Sequence, residues 1–129
     1  MKDREKEDLL KAAMAVAAAD GVVKPSEMGV ILGLAVRVGV GQISMEHMIE
    51  AAKRDPAFAD NILMSSQRSA RLAMELLVAQ ARIDGEISDE ERELLVRLAT
   101  RLQIPSDAFQ AIYREGIARA DRIRKSRGL

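Results

Sequence analysis

The fold is decided by the stretch ARIDGEISDEE, residues 81–91, which joins two segments of helical apolar spacing. Asp84-Gly85 ends the first segment, because glycine tolerates the positive φ angle that closes many helices. Ser88 precedes Glu91 by three residues, which is the spacing of a capping box at a helix start. The stretch therefore predicts a helix, a short acidic loop and a second helix.

The same pattern occurs a second time, 64 residues earlier. Residues 14–40 align without a gap on residues 78–104, and eight aligned positions are identical. They include both Asp-Gly pairs, Asp20-Gly21 and Asp84-Gly85, and the glutamate that follows each pair at the same distance, Glu27 or Glu91. Self-similarity of this kind indicates a duplicated helix–loop–helix unit. We expect the two units to pack about a pseudo-twofold axis, which would bring the acidic loops close together.

Helical periodicity covers nearly the whole chain, and no run of residues alternates as a half-buried strand would. The sequence therefore predicts an all-α protein, a compact bundle of six or seven helices in one domain spanning residues 1–129. The expected helices cover about residues 2–19, 25–38, 44–54, 56–63, 66–83, 89–102 and 107 to the Arg-rich end. Pro25 and Pro56 suit first helical turns, where a missing N–H costs nothing, and Ser44 suits an N-cap.

Composition excludes several classes of function. The chain has 20 basic and 20 acidic residues, whereas a nucleic-acid binder is usually basic. Only three aromatic residues are available for stacking on bases, so we expect no nucleic-acid partner. The absence of cysteine removes disulfides and Cys-based zinc sites. A densely charged N-terminus and short uncharged runs predict neither a secretory signal nor membrane insertion, so the expected location is cytoplasmic.

The acidic loops allow two interpretations. In the first, the acids only shape the loops: Glu91 completes a capping box with Ser88, and an Asp before Gly accepts loop N–H groups in an Asx turn. In the second, the loops bind a metal. With Gly85 at position 6 of a calcium loop, Asp84 and Glu91 fall at positions 5 and 12, but positions 1 and 3 lack carboxylates.

One such loop is therefore too poor in oxygen ligands to bind calcium strongly alone. Carboxylates pooled from both loops would suffice for a divalent cation, with calcium, magnesium, manganese and zinc all open as its identity. The candidate metal ligands are Asp20, Glu27, Asp84 and Glu91.

The patterns A-x-A-D-G-x-V-x-x-x-E (residues 17–27) and A-x-I-D-G-E-I-S-x-E-E (residues 81–91) resemble the TerB family of tellurite-resistance proteins. The resemblance covers roughly residues 5–118. It implies a compact seven-helix fold and an acidic surface that binds metal. It also implies a role in stress response beside other stress-response proteins, including a membrane protein partner. Asp20, Glu27, Asp84 and Glu91 match the family pattern, whereas Lys24 stands where the second copy has Ser88.

The leading hypothesis from the sequence is thus a non-enzymatic, TerB-like binding or sensing module of a cytoplasmic stress-response system. The alternative is a protein–protein adaptor domain that binds no metal, with the acids acting only as helix caps. This alternative predicts a groove or patch of exposed Leu, Met or Val. An enzyme is the third and least favoured class. Paired carboxylates can do acid–base chemistry, but only inside a deep pocket. The lone histidine, His47, is expected to be an ordinary surface or half-buried residue and not a catalytic one.

Overall fold

A computed structural model describes residues 1–83 and 85–128, and six α-helices account for most of these residues. No strand occurs among them, so the predicted all-α class is confirmed. Of the helices described, none combines the length and the apolarity that crossing a lipid bilayer requires. The helices are α1 (Asp3–Ala18), α2 (Pro25–Val38), α3 (Gln42–Arg54), α4 (Gln67–Arg82), α5 (Asp89–Arg101) and α6 (Ser106–Ser126).

The centre of the bundle is formed by α1 and α4. α1 packs against α2, α3, α4 and α5, and α4 packs against α1, α2, α5 and α6. Alanines make up most of the second half of α1, and their small side chains let neighbouring helices approach from several sides. Leu10, Met14, Met74 and Leu77 are fully buried between these helices. Each contributes on the order of 2 kcal/mol of hydrophobic stabilisation.

One predicted N-cap and one predicted helix are wrong. α3 begins at Gln42 with Gly41 as N-cap, so Ser44 lies inside the helix and does not cap it. The helix predicted over residues 56–63 is a series of tight turns instead. In these turns the N–H of Phe58 donates to the Asp55 carbonyl, three residues back, at 3.1 Å, and the N–H of Ile62 donates likewise to Ala59 at 3.2 Å. These are three-residue steps and do not continue the four-residue ladder of an α-helix.

The linker between α3 and α4 is held by acids of α1. The Ser65 N–H donates to Glu5 Oε1 at 2.5 Å, and the Leu63 N–H donates to Asp8 Oδ2 at 3.1 Å. Glu5 Oε2 also accepts the Lys2 N–H at 2.7 Å. Hydrogen bonds from the Ser65 side chain, the Ser65 backbone and the Lys2 backbone lower the pKa of Glu5 from 4.5 to about 2. The start of α1 is therefore fastened to the chain that leads into α4.

Candidate functional site

α1 and α4 end with the same local geometry, at the positions where the acidic loops begin. The Gly21 N–H donates to the Ala18 carbonyl at 2.9 Å, and the Gly85 N–H donates to the Arg82 carbonyl at 2.8 Å. Gly21 has φ 86° and Gly85 has φ 104°, a region that side chains with a Cβ rarely adopt. The predicted use of both glycines to turn the chain out of a helix is therefore confirmed.

The helix after the second loop begins with the predicted capping box. Ser88 Oγ accepts the Glu91 N–H at 3.1 Å, and Glu91 Oε1 accepts the Ser88 N–H at 2.9 Å. The N-cap of α2 is Lys24, followed by Pro25 at the first helical position as predicted. The N-cap of each helix thus lies three residues before a glutamate, but only α5 has a hydroxyl at its N-cap.

Both glutamates of the repeated pattern are buried. Glu27 and Glu91 are each 1% exposed, which is unusual for a carboxylate because burial removes its hydration. Their positions in the first turns of α2 and α5 offset part of this penalty through the positive ends of the helix dipoles. Glu91 Oε2 is buried and accepts no hydrogen bond from the residues that the structure describes. A buried carboxylate oxygen that lacks a donor can be satisfied by a cation or by a water molecule.

The aspartates of the candidate set are not described as buried ligands like the two glutamates. Asp20 is exposed, and its Oδ1 accepts the Val22 N–H at 3.1 Å, which is the Asx turn that the sequence predicts. Asp84 lies outside the described residues. Among the residues that are described, no group of three or more His, Cys, Asp or Glu side chains is arranged to hold a metal ion. The candidate set therefore includes two buried glutamates and one exposed aspartate in the described part of the chain.

Both loops begin close to one contact between the central helices. Gln80 Nε2 of α4 donates to the main-chain carbonyl of Ala13 in α1 at 3.1 Å. α1 ends five residues after this contact and α4 ends two residues after it. At 1.5 Å per residue, these distances are about 8 Å and about 3 Å along the helix axes.

The end of each central helix also faces a helix from the other half of the chain. Ala18 and Ala19, at the end of α1, line an open cavity of about 580 Å³ together with Leu94 of α5. Ile83, at the end of α4, lines a cavity of about 180 Å³ together with Val30 of α2. The start of each loop is thus set beside the helix that follows the other loop.

A basic side chain, which the sequence analysis did not associate with the loops, lies against the second loop. The guanidinium of Arg124, in α6, covers Gly85 so closely that a Cβ on Gly85 would be 3.1 Å from Arg124 Nη2. Arg124 Nη1 also lies 3.6 Å from Asp121 Oδ1. Gly85 and Arg124 are far apart in sequence, so only the packing of α6 along α4 brings them together.

Comparison of the chain with protein-family models, curated proteins and solved structures finds no match. The resemblance to the TerB family therefore stays a prediction from the two Asp-Gly…Glu stretches.

Proposed function

We propose that this chain is a non-enzymatic, TerB-like binding or sensing module, and that its paired acidic loops bind a divalent cation. The observation that carries the proposal is the buried Glu91 carboxylate, one oxygen of which accepts no hydrogen bond from the described residues. Glu27 is equally buried at the matching position after the other Asp-Gly turn. A bound cation would compensate the burial of two carboxylates, which capping alone does only in part.

The equal spacing of the helix starts in the two halves of the chain supports a paired site. The helices α4, α5 and α6 begin 64 residues after α1, α2 and α3, respectively. The agreement extends to the ends of α2 and α5. Gly39 and Gln103, again 64 residues apart, both have left-handed backbones, with φ 76° and 58°. The N–H groups of Val40 and Ile104, one residue later, each donate five residues back at 2.9 Å.

The chemistry of the candidate ligands favours a hard cation. Asp20, Glu27, Asp84 and Glu91 offer carboxylate oxygens, which suit calcium, magnesium and manganese. Zinc prefers imidazole or thiolate ligands. The chain has no cysteine, and its one histidine, His47, is exposed on α3. We therefore infer calcium, magnesium or manganese ahead of zinc.

In the cell, the proposed module acts in a cytoplasmic response to tellurite or metal stress. Cation occupancy would change the acidic loops, and other stress-response proteins, including a membrane protein partner, would detect that change. No reaction is proposed for the chain, since the acids are assigned to binding.

The proposal is tested by thermal unfolding with and without millimolar calcium, magnesium, manganese or zinc. A ligand that binds only the folded state stabilises it by about 2.7 kcal/mol at a hundred times its Kd. We expect one of the first three ions to raise the Tm of the wild type, and Asp20→Asn/Asp84→Asn to abolish the rise. Asp107→Asn, in the first turn of α6, is the matched control and should retain it. No rise with any ion in the wild type would contradict the proposal.

A second candidate function is a protein–protein adaptor without metal. The observation that favours it is the outer face of α2, where Leu32 is 42% exposed and Val36 is 77% exposed. In this case the capping box of Ser88 and Glu91 and the Asx turn of Asp20 account for the acids. The adaptor predicts a Tm insensitive to divalent cations, so the same unfolding experiment separates the two functions.

A further inference from the structure

A groove crosses the surface where α1, α2, α4 and α6 meet. It consists of an inner cavity of about 180 Å³ and an outer cavity of about 390 Å³. The two cavities adjoin, because Leu9, Leu34, Arg37 and Leu76 line both of them. None of the acidic loop residues in the described part of the chain lines the groove, although Ile83, at the end of α4 where the second loop begins, lines its inner cavity.

The walls of the groove are aliphatic and partly open to water. At its outer end Leu72 is 42% exposed and Met1 is 38% exposed. Large apolar side chains that gather at a concave, accessible surface are typical of a binding site, because a partner that covers them gains hydrophobic stabilisation.

The charged residues that line the groove in the described part of the chain are all positive. Lys6 and Arg37 border the outer cavity, and Arg37 and Arg119 border the inner one. Arg119 forms an ion pair with Glu75, whose Oε1 is 3.1 Å from Arg119 Nε. No acidic residue among those described lines either cavity. Since the chain as a whole has equal numbers of acidic and basic residues, this local excess favours an anionic partner.

One polar side chain is held in the wall of the inner cavity. Gln80 is 3% exposed and lines the inner cavity, and its Nε2 is used by the Ala13 carbonyl. Its Oε1 is buried and accepts no hydrogen bond from any described residue. This buried oxygen has almost no surface that a partner could reach, so Gln80 contributes to the groove only as a side chain that Ala13 holds in its wall.

We infer that the groove binds a short acidic peptide segment of another protein. One apolar side chain of the segment fills the inner cavity, which is smaller than the 300 to 1,000 Å³ or so of a typical small-molecule pocket. The flanking carboxylates of the segment lie beside Arg37 and Lys6. An acyl chain carries a single carboxylate, whereas cations border both the inner and the outer cavity, so a peptide with several carboxylates fits better.

This inference gives the adaptor candidate a partner chemistry, and it is independent of the proposed cation site. The experiment uses four fluorescein-labelled ten-residue peptides that are rich in Asp and Glu and carry Leu, Ile, Met or Phe at a central anchor position. Binding to the full chain is followed by fluorescence anisotropy in EDTA, so that loss of a bound cation and loss of peptide binding are distinguished. The peptide with Ala at the anchor and oleate as competitor complete the set.

We expect at least one peptide to bind, and the Ala-anchored peptide to bind at least about tenfold more weakly. Arg37→Glu should weaken binding by about tenfold or more, because it reverses a charge at the rim. Arg114→Glu is the matched control, since Arg114 is exposed on α6 and lines neither cavity, and it should change binding by less than about twofold. The methyl NMR signals of Leu9, Leu34 and Leu76 should shift on binding.

Three results would overturn the inference. The first is that none of the four peptides binds at millimolar concentration or shifts the three leucine methyl signals. The second is equal weakening by Arg37→Glu and Arg114→Glu, which would assign the binding to general charge attraction. The third is that oleate shifts the leucine signals while the peptides do not, which would assign the groove to an anionic amphiphile.

Discussion

Gly116 in α6 lies against Val78 in α4 without room for a side chain. A Cβ on Gly116 would be 2.6 Å from the Val78 Cβ and 3.0 Å from the main-chain oxygen of Glu75. We therefore expect Gly116→Ala to destabilise the protein by about 1 to 3 kcal/mol, through overpacking that forces the two helices apart. Urea unfolding of the variant measures this difference directly.

Gly33 supplies the matched control for this substitution. It lies inside α2, and a Cβ built on it would meet no atom within 4 Å. Gly33→Ala should therefore stabilise the protein by about 0.5 to 1 kcal/mol, because alanine loses less backbone entropy in a helix. Equal effects of Gly116→Ala and Gly33→Ala would show that the contact between α4 and α6 is looser than described.

Ser88→Ala should destabilise the protein by about 1 kcal/mol, since it removes the hydroxyl that accepts the Glu91 N–H. Ser44→Ala is the control that separates a true N-cap from a serine inside a helix. Ser44 lies in the first turn of α3 after the N-cap Gly41, so its replacement should be neutral or stabilise by a few tenths of a kcal/mol. Thermal unfolding of both variants gives the comparison, and a loss at Ser44 like that at Ser88 would restore the cap predicted from the sequence.

The helices and their ends could largely be predicted because their signals are local. Pro25 at the first position of α2, Gly39 after its end, and Ser88 before α5 each act on neighbouring backbone groups. The burial of Glu27 and Glu91 was harder to foresee, since a glutamate in a first helical turn is usually exposed. Their matching positions in the two copies singled them out, as did the capping-box spacing at Glu91, but neither signal indicates burial.

What escaped prediction depends on contacts between residues far apart in the chain. Glu93 and Arg97 have the spacing of a surface ion pair along one helix. Arg97 Nε instead lies 3.4 Å from Asp60 Oδ1, and the Arg97 guanidinium also donates to the Pro56 carbonyl. The segment around Asp60 is thus held by side chains of α5, and its own sequence gave no sign that turns would replace a helix there.

Glu5 should make the protein lose stability in acid over a defined range of pH. Its pKa is lowered to about 2, mainly by the hydrogen bonds from Ser65, whereas in the unfolded chain it is near 4.5. The ionised form is therefore favoured by folding. The stabilisation is complete above pH 4.5 or so and is lost as the pH falls from there toward 2.

Glu5→Gln should remove this contribution, so the variant should be less stable at neutral pH and its stability should fall less between about pH 4.5 and 2. Glu7→Gln, on an exposed neighbour in α1, should keep the acid loss of the wild type. Urea midpoints measured at a series of pH values give both slopes. Parallel pH profiles for the wild type and Glu5→Gln would show that the bonds from Ser65 and Lys2 do not favour the carboxylate.

Arg124 should weaken cation binding at the proposed site, because its guanidinium lies against Gly85 in the second loop. A divalent ion placed there would be repelled by this positive charge, which salt screens only in part at short range. Arg124→Gln should therefore tighten cation binding by about threefold to tenfold, measured by calorimetric titration. Arg127→Gln, an exposed residue beyond the end of α6, should change the Kd by less than about twofold. An unchanged Kd in Arg124→Gln would place the bound cation away from the second loop, and equal tightening in both variants would assign the effect to overall charge.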